Sequence, residues 1–195
     1  MTKAERTKQF IIEQAAPLLM KNGIAGTAMS DIMAATRLAK GSLYVHFENK
    51  EELSYAVVDH NLEMLGKKML EGSNRQSSSK GKILLLLKIL GDPLNTPLEG
   101  GCPMLNFGME SDDTNPVIRG KVSQFISACR QRTVDLVEKG IEEGEFKNTW
   151  DAKDFSIKMF AMLEGGIFMC RVANNNDAMK AIIRMLKKEI EEQSI

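Results

Sequence analysis

Apolar positions recur at intervals of three and four along nearly the whole chain, and alternating β-branched runs are absent, so the pattern predicts an all-α protein. A first helix is expected from about Lys3 to Asn22, with Phe10, Ile11, Ala15, Leu18 and Leu19 on one stripe and Gly23 as the stop. Pro17 removes one of its internal hydrogen bonds. Thr27 is then expected to cap a helix of about two turns containing Asp31, Ile32, Ala35 and Thr36. After a break at residues 37–39, a very short helix covers about Lys40 to His46, and a longer one starts at Lys50 with Leu53, Val57, Met64 and Leu65 on its apolar face. Residues 72–81 have the composition of a flexible connection. Further helices are expected around Ile83–Leu90, Met104–Glu110, Ile118–Ile141, Ala152–Val172 and Asp177–Glu192, with a loop marked by Pro93, Pro97 and Gly100-Gly101, giving about nine in all. Two domains follow, residues 1–49 around the short helices and residues 50–195 beyond them.

Apolar residues make up 43% of the chain and charged residues 27%, the balance of a soluble globular protein. The longest aliphatic run, Ile83 to Leu87, is far too short to span a bilayer, and the first residues hold no apolar signal core, so a cytoplasmic protein without a membrane partner is expected. Cys102, Cys129 and Cys170 are odd in number and lack Cys-x-x-Cys spacing, which argues against a disulfide framework or a metal site. No His-Glu-x-x-His, Gly-x-Ser-x-Gly or phosphate-cradling loop is present, and His46 and His60 have no acidic partner at motif spacing. Neither catalytic residues nor a cofactor are expected. Basic and acidic residues balance at 26 each, so only their distribution can favour nucleic acid. Residues 1–50 hold seven bases (Lys3, Arg6, Lys8, Lys21, Arg37, Lys40, Lys50) against four acids (Glu5, Glu13, Asp31, Glu48). The N-terminal end is the one suited to phosphates.

Helices shorter than about 12 residues rarely persist alone in water, so the two short ones must pack against the first as a three-helix unit. That arrangement is a helix-turn-helix, whose second short helix fits a major groove. The strings Asn22-Gly-Ile24, Thr27-Ala-Met-Ser-Asp-Ile32, Lys40-Gly-Ser-Leu-Tyr-Val-His-Phe47 and Asn49-Lys-Glu-Glu-Leu53 closely resemble the DNA-binding domain of TetR-family bacterial regulators, densely over about residues 5–57. The resemblance implies a nine-helix homodimer that represses promoters by binding a double-stranded palindromic operator and lets go when a small-molecule inducer enters the C-terminal domain. Two departures stand out. Arg37 occupies a turn position where the family usually has Gly, and Ala39 a position where a capping Ser or Thr is usual. Each costs on the order of 1 kcal/mol.

Lys40, Gly41 and Ser42 begin the expected recognition helix, where backbone N–H groups, an ammonium and a hydroxyl can meet phosphates or base edges. Tyr44 and His46 suit base and phosphate contacts, while Leu43 and Phe47, four apart, fill the small core. Lys50 is a natural phosphate clamp, Thr27 can reach a phosphate from its cap position, and Ser30 and Arg37 complete the DNA-contact set.

Seven of 13 methionines lie beyond residue 100, and flexible thioethers can line a ligand cavity or simply fill a core. With the resemblance, Cys102, Met104, Phe107, Met109, Phe125, Met159 and Leu163 become the expected ligand contacts. The segment Gly100-Gly-Cys-Pro-Met-Leu-Asn-Phe-Gly-Met-Glu110 is similar to a Gly-Cys motif in a TetR subgroup that includes electrophile- and oxidant-responsive repressors. Backbone N–H groups beside Cys102 would favour its thiolate, whereas Glu99 and Glu110 would oppose it, so sensor and structural cysteine both stand. The apolar faces Phe160, Ile167 and Met179, Ile182, Ile183, Leu186, Ile190 exceed what one thin bundle hides, and Gly165-Gly166 allows close helix approach, so a two-fold four-helix interface is expected there. A helical protein that binds other proteins and no DNA is the remaining alternative.

Overall fold

The computed structural model describes residues 1–96 and 98–195; Pro97 lies outside them. Nine α-helices order these residues: α1 (Lys3–Asn22), α2 (Met29–Thr36), α3 (Lys40–Tyr44), α4 (Lys50–Leu70), α5 (Ser79–Leu90), α6 (Pro103–Ser111), α7 (Pro116–Glu142), α8 (Ala152–Ala173) and α9 (Asp177–Gln193). Among the described residues the only extended pairing is an isolated bridge between Phe146 and Ser194. The all-α expectation holds. Helix α1 runs unbroken through Pro17 and ends where Gly23 takes φ 78°, its N–H closing onto the Leu19 carbonyl.

The chain forms two compact units, each assembled from separated stretches: Met1–Leu65 with Leu98–Gln124, and Gly66–Pro97 with Phe125–Ile195. A single cut after residue 49 was expected. Instead most of α4, all of α6 and the start of α7 cluster with α1–α3. The reason lies in what α1 leaves uncovered. A three-helix unit of fewer than 50 residues has too little interior to bury Ile11, Ala15 and Leu19 on one side of α1 and Met20 on another, and the added helices complete the enclosure. Ile32, Leu43, Phe47, Leu53, Val57 and Val58 share this interior.

Polar groups lock the frame. Asn49 caps α4 by accepting the Glu52 N–H at 2.8 Å, and Glu52 reaches back to the Glu48 N–H at 2.8 Å and to Lys8 Nζ at 3.3 Å. The Glu48 N–H and the Lys8 ammonium hold the Glu52 carboxyl below the usual carboxylate range. Lys8 also lies 4.7 Å from the Phe47 ring centroid, so one cation ties α1 to both α4 and the end of the recognition segment.

In the second unit, Glu145 accepts the N–H groups of Ser79 and Lys80 at 2.8 and 2.9 Å, closing the start of α5. Trp150 packs between Phe146, edge to face at 4.8 Å between centroids, and Phe155, tilted at 4.5 Å. Helices α8 and α9 lie against each other with Leu163, Ile167, Cys170, Met179, Ile182, Leu186 and Ile190 between them. A Cβ at Gly166 would stand 2.7 Å from Ile182 Cδ1 and 2.8 Å from Met179 Cε, so any larger residue there makes these two side-chain ends shift.

Replacing Phe47 by alanine removes a fully buried ring and is expected to cost about 3–5 kcal/mol. The loss would appear as a lower urea midpoint by circular dichroism; an unchanged midpoint would put Phe47 outside the core.

Candidate nucleic-acid interface

Helix α2 starts without a side-chain cap at Ala28, whose N–H instead donates to Asp31 Oδ2 at 2.8 Å. Thr27 is not the cap. Its side chain is fully buried and its hydroxyl donates to the Gly23 carbonyl at 2.7 Å, so it cannot reach a phosphate. That correction has a simple cause: the Gly23 carbonyl sits one turn back and offers the hydroxyl a local partner. At the other end, Thr36 Oγ1 donates to the Ile32 carbonyl at 2.8 Å and Arg37 takes φ 57°, ψ 24°. A left-handed arginine reverses the chain where glycine would do so without strain. Ala39 then precedes α3 with no side-chain cap, as the sequence anticipates.

Five residues of α3 carry one apolar anchor, Leu43, and Phe47 follows four residues later; both are buried. Everything on the opposite side is exposed: Lys40, Gly41, Ser42, Tyr44 (41%) and Val45 (79%). His46 is half-buried at the edge of this face, and Ser30 and Arg37 are exposed nearby in sequence. The Lys40 ammonium lies 5.9 Å from the Tyr44 ring centroid, presenting cation and phenol together. Lys50 is half-buried, and its Nζ donates to the Ala25 carbonyl at 3.4 Å, so it braces the loop before α2. Val45 was not anticipated. Its signal is phase: two residues from Leu43 and four from Gly41, it must point away from the core if Leu43 points in.

A Cβ built on Gly41 meets nothing within 4 Å. The fold therefore gains nothing from glycine here, while glycine inside a helix costs about 1 kcal/mol against alanine. A bare backbone on the outer face of α3 suits a surface that must be approached closely from outside.

The expected ligand contacts divide between the units. Cys102, Met104 and Phe107 are buried in the first; Met159 and Leu163 are buried in the second, where Phe125 is half-buried. Met109 does not line an interior: it is 69% exposed, because α6 turns its Met104 and Phe107 side inward. A cavity of about 380 Å³ in the second unit is lined by Gln76, Gly81, Leu84, Leu85, Lys88 and Lys187, none of them anticipated as ligand contacts. Burial, with the Glu164 charge second, pushes the Cys129 thiol up to about 11. Among the described residues no three His, Cys, Asp or Glu side chains gather as a metal site.

The anticipated dimer face needs correction too. Ile167, Met179, Ile182, Leu186 and Ile190 are buried within one chain by the α8–α9 contact that Gly166 eases, and Phe160 and Ile183 are half-buried. The apolar residues left outside are Ile157, Phe168, Met169 and Val172 on α8 and Met185 on α9.

A short helix held by two apolar anchors behind an uncapped, outward-facing polar surface defines a helix-turn-helix DNA-binding protein. Residues 11–57 match the family described as bacterial regulatory proteins, tetR family, and residues 87–186 match the tetracyclin repressor-like C-terminal domain. A TetR transcriptional regulator from Chloroflexus aurantiacus J-10-FL superimposes with a TM-score of 0.94 at 35% identity, over 100% of this chain and 98% of that one. A TetR-family regulator from Cytophaga hutchinsonii gives 0.93 at 32%, with the same shares. An uncharacterized HTH-type transcriptional regulator of Lactococcus lactis subsp. lactis is 23% identical over 95% of this chain and 93% of its own length. The chain belongs to the TetR family and is a transcriptional regulator.

Gly41→Ala should therefore raise the melting temperature while weakening DNA binding, opposite signs that calorimetry and fluorescence anisotropy would read on one sample. A variant that is stabilised with unchanged DNA affinity would remove Gly41 from the interface.

Proposed function

We propose that the protein binds a near-palindromic operator as a homodimer, with α3 of each chain in a major groove, and that a small molecule releases it. The observation that carries this reading is the outer face of α3, where Lys40, Gly41, Ser42, Tyr44 and Val45 are all exposed. Lys40 and Ser42 supply phosphate or base-edge contacts, Tyr44 a phenol, and His46 an imidazole at the edge of the face. Val45 fits the methyl group of a thymine, the apolar feature of the major groove. Ser30 and Arg37 suit flanking phosphates.

Pairing of two chains is supported by a second surface. Ile157, Ala161, Gly165, Phe168 and Val172 follow helical spacing on the outer side of α8, all exposed, and a Cβ at Gly165 meets nothing within 4 Å. Small residues in the middle of an apolar stripe let a second helix approach closely. Two copies joined there would offer two recognition helices to the two halves of a palindrome.

The small molecule must bind the released conformation more tightly than the DNA-bound one, since equal affinity shifts nothing. Buried Cys102 and the high-pKa thiol of Cys129 speak for reversible ligand binding over thiol chemistry as the trigger. Iodoacetamide near neutral pH should label both slowly in the folded protein; rapid labelling of Cys102 with loss of DNA binding would reinstate the redox reading.

Duplexes selected from a random pool supply the operator. Lys40→Ala and Tyr44→Ala should each weaken its binding by about 1–3 kcal/mol with folding intact, and Lys40→Ala should also reduce the salt slope by about one. Phe168→Glu should yield monomers by sedimentation and bind the full palindrome far more weakly; a dimer persisting in that variant would move the interface elsewhere.

A further inference from the structure

Helix α6 lies outside the helix-turn-helix, yet within the first unit its side chains grip the loop that sets where α2 begins. Glu110 Oε2 accepts the Ile24 N–H at 2.8 Å, and Oε1 accepts the Ala25 N–H at 2.7 Å. Two successive backbone donors facing one way form an anion site, and this carboxylate fills it. Gly23 makes room: with φ 78°, a Cβ there would stand 3.1 and 3.2 Å from the two carboxylate oxygens. Four residues earlier on α6, Asn106 Nδ2 donates to the Met20 carbonyl at 3.0 Å and to the Gly100 carbonyl at 3.1 Å. The same loop is braced by Lys50 Nζ on the Ala25 carbonyl and by Thr27 Oγ1 on the Gly23 carbonyl.

We propose that Glu110 is a positioning residue for DNA recognition: its two-pronged grip on Ile24 and Ala25 makes the helix-turn-helix and the 98–124 segment one body, fixing the angle at which α3 meets DNA. The inference rests on the reading that α3 binds an operator. Its logic is geometric. Helix α2 has no side-chain cap of its own and α3 has none either, so their direction comes from the loop before them and the core beneath. Neither α1 nor α2 supplies acceptors for the Ile24 and Ala25 N–H groups; a helix from the other stretch of the unit does.

Charge alone predicts the opposite outcome, which makes the test decisive. Removing a negative charge from a DNA-binding unit strengthens phosphate attraction, so a purely electrostatic Glu110 would give a variant that binds DNA more tightly. The test uses the full-length protein, a palindromic duplex selected by the wild type, and a series in which its half-sites are moved apart or together by one or two base pairs. Glu110→Gln keeps the shape but offers one acceptor where two are needed. It should lose about tenfold in affinity at the best spacing and flatten the dependence on spacing, with faster exchange confined to the Ile24 and Ala25 amides. Glu110→Asp, one methylene shorter, should lie between, which answers the case in which Glu110→Gln fails to fold. Unchanged or tighter binding with an unchanged spacing profile would overturn the proposal even if the two amides exchange faster, since the grip would then be structural alone. Failure of the wild type to select any duplex would overturn the operator reading and this inference together, a result seen before any variant is made.

Discussion

The exposed face of α3 hangs from two side chains. Helix α3 has five residues, too few to persist by its own hydrogen bonds, and it exists because Leu43 and Phe47 are sunk into the interior formed with α1, α2 and α4. Since both anchors lie on one side, the other side faces out, and the residues exposed there are an ammonium, a hydroxyl, a phenol and a bare glycine backbone. The exposed polar face is thus a by-product of the anchoring. Val45 follows the same rule, an apolar side chain left in water because the helix phase leaves it nowhere else to go.

Around that anchor the structure spends its polar side chains on backbone groups that the short helices leave unpaired. Asp31 serves the start of α2, Asn49 and Glu52 the start of α4, Glu110 the loop after α1, and in the second unit Glu145 the start of α5. The last two carboxylates come from stretches 65 and more residues away in sequence, so they stitch distant segments as well as close helix ends. Asp92 does the same kind of work in the second unit: bonded to Asn95 and Asn176, it is held below the usual carboxylate range by them.

Helix positions were legible because burial imposes a 3.6-residue period on the residues themselves, and the turn at Arg37 was legible through the family resemblance, which marks that position as one usually held by Gly. Local chemistry also placed Lys40, Gly41, Ser42 and Tyr44 on the outer face. What failed were inferences that need to know a partner. Thr27 has the residue type of a helix cap, but its hydroxyl found a carbonyl one turn back. The apolar face of α9 was visible, yet nothing in the sequence says whether its counterpart is a second chain or α8 of the same one; Gly166, read as making way for a partner chain, makes way for Ile182 and Met179. Met109 was placed among the ligand contacts through the resemblance, but helix phase put it outside. The grouping of α6 with the N-terminal helices includes carboxylate and amide contacts across some 86 residues, which periodicity does not encode.

The central claim, that the side of α3 opposite Leu43 and Phe47 enters a DNA groove, is tested most directly by fluorescence anisotropy of a selected palindromic duplex titrated with wild-type protein and with Tyr44→Ala. The account predicts tight, salt-sensitive binding by the wild type and a clear loss in the variant, with the helical circular dichroism of the two proteins superimposable. Equal affinity of the two proteins for that duplex would contradict it.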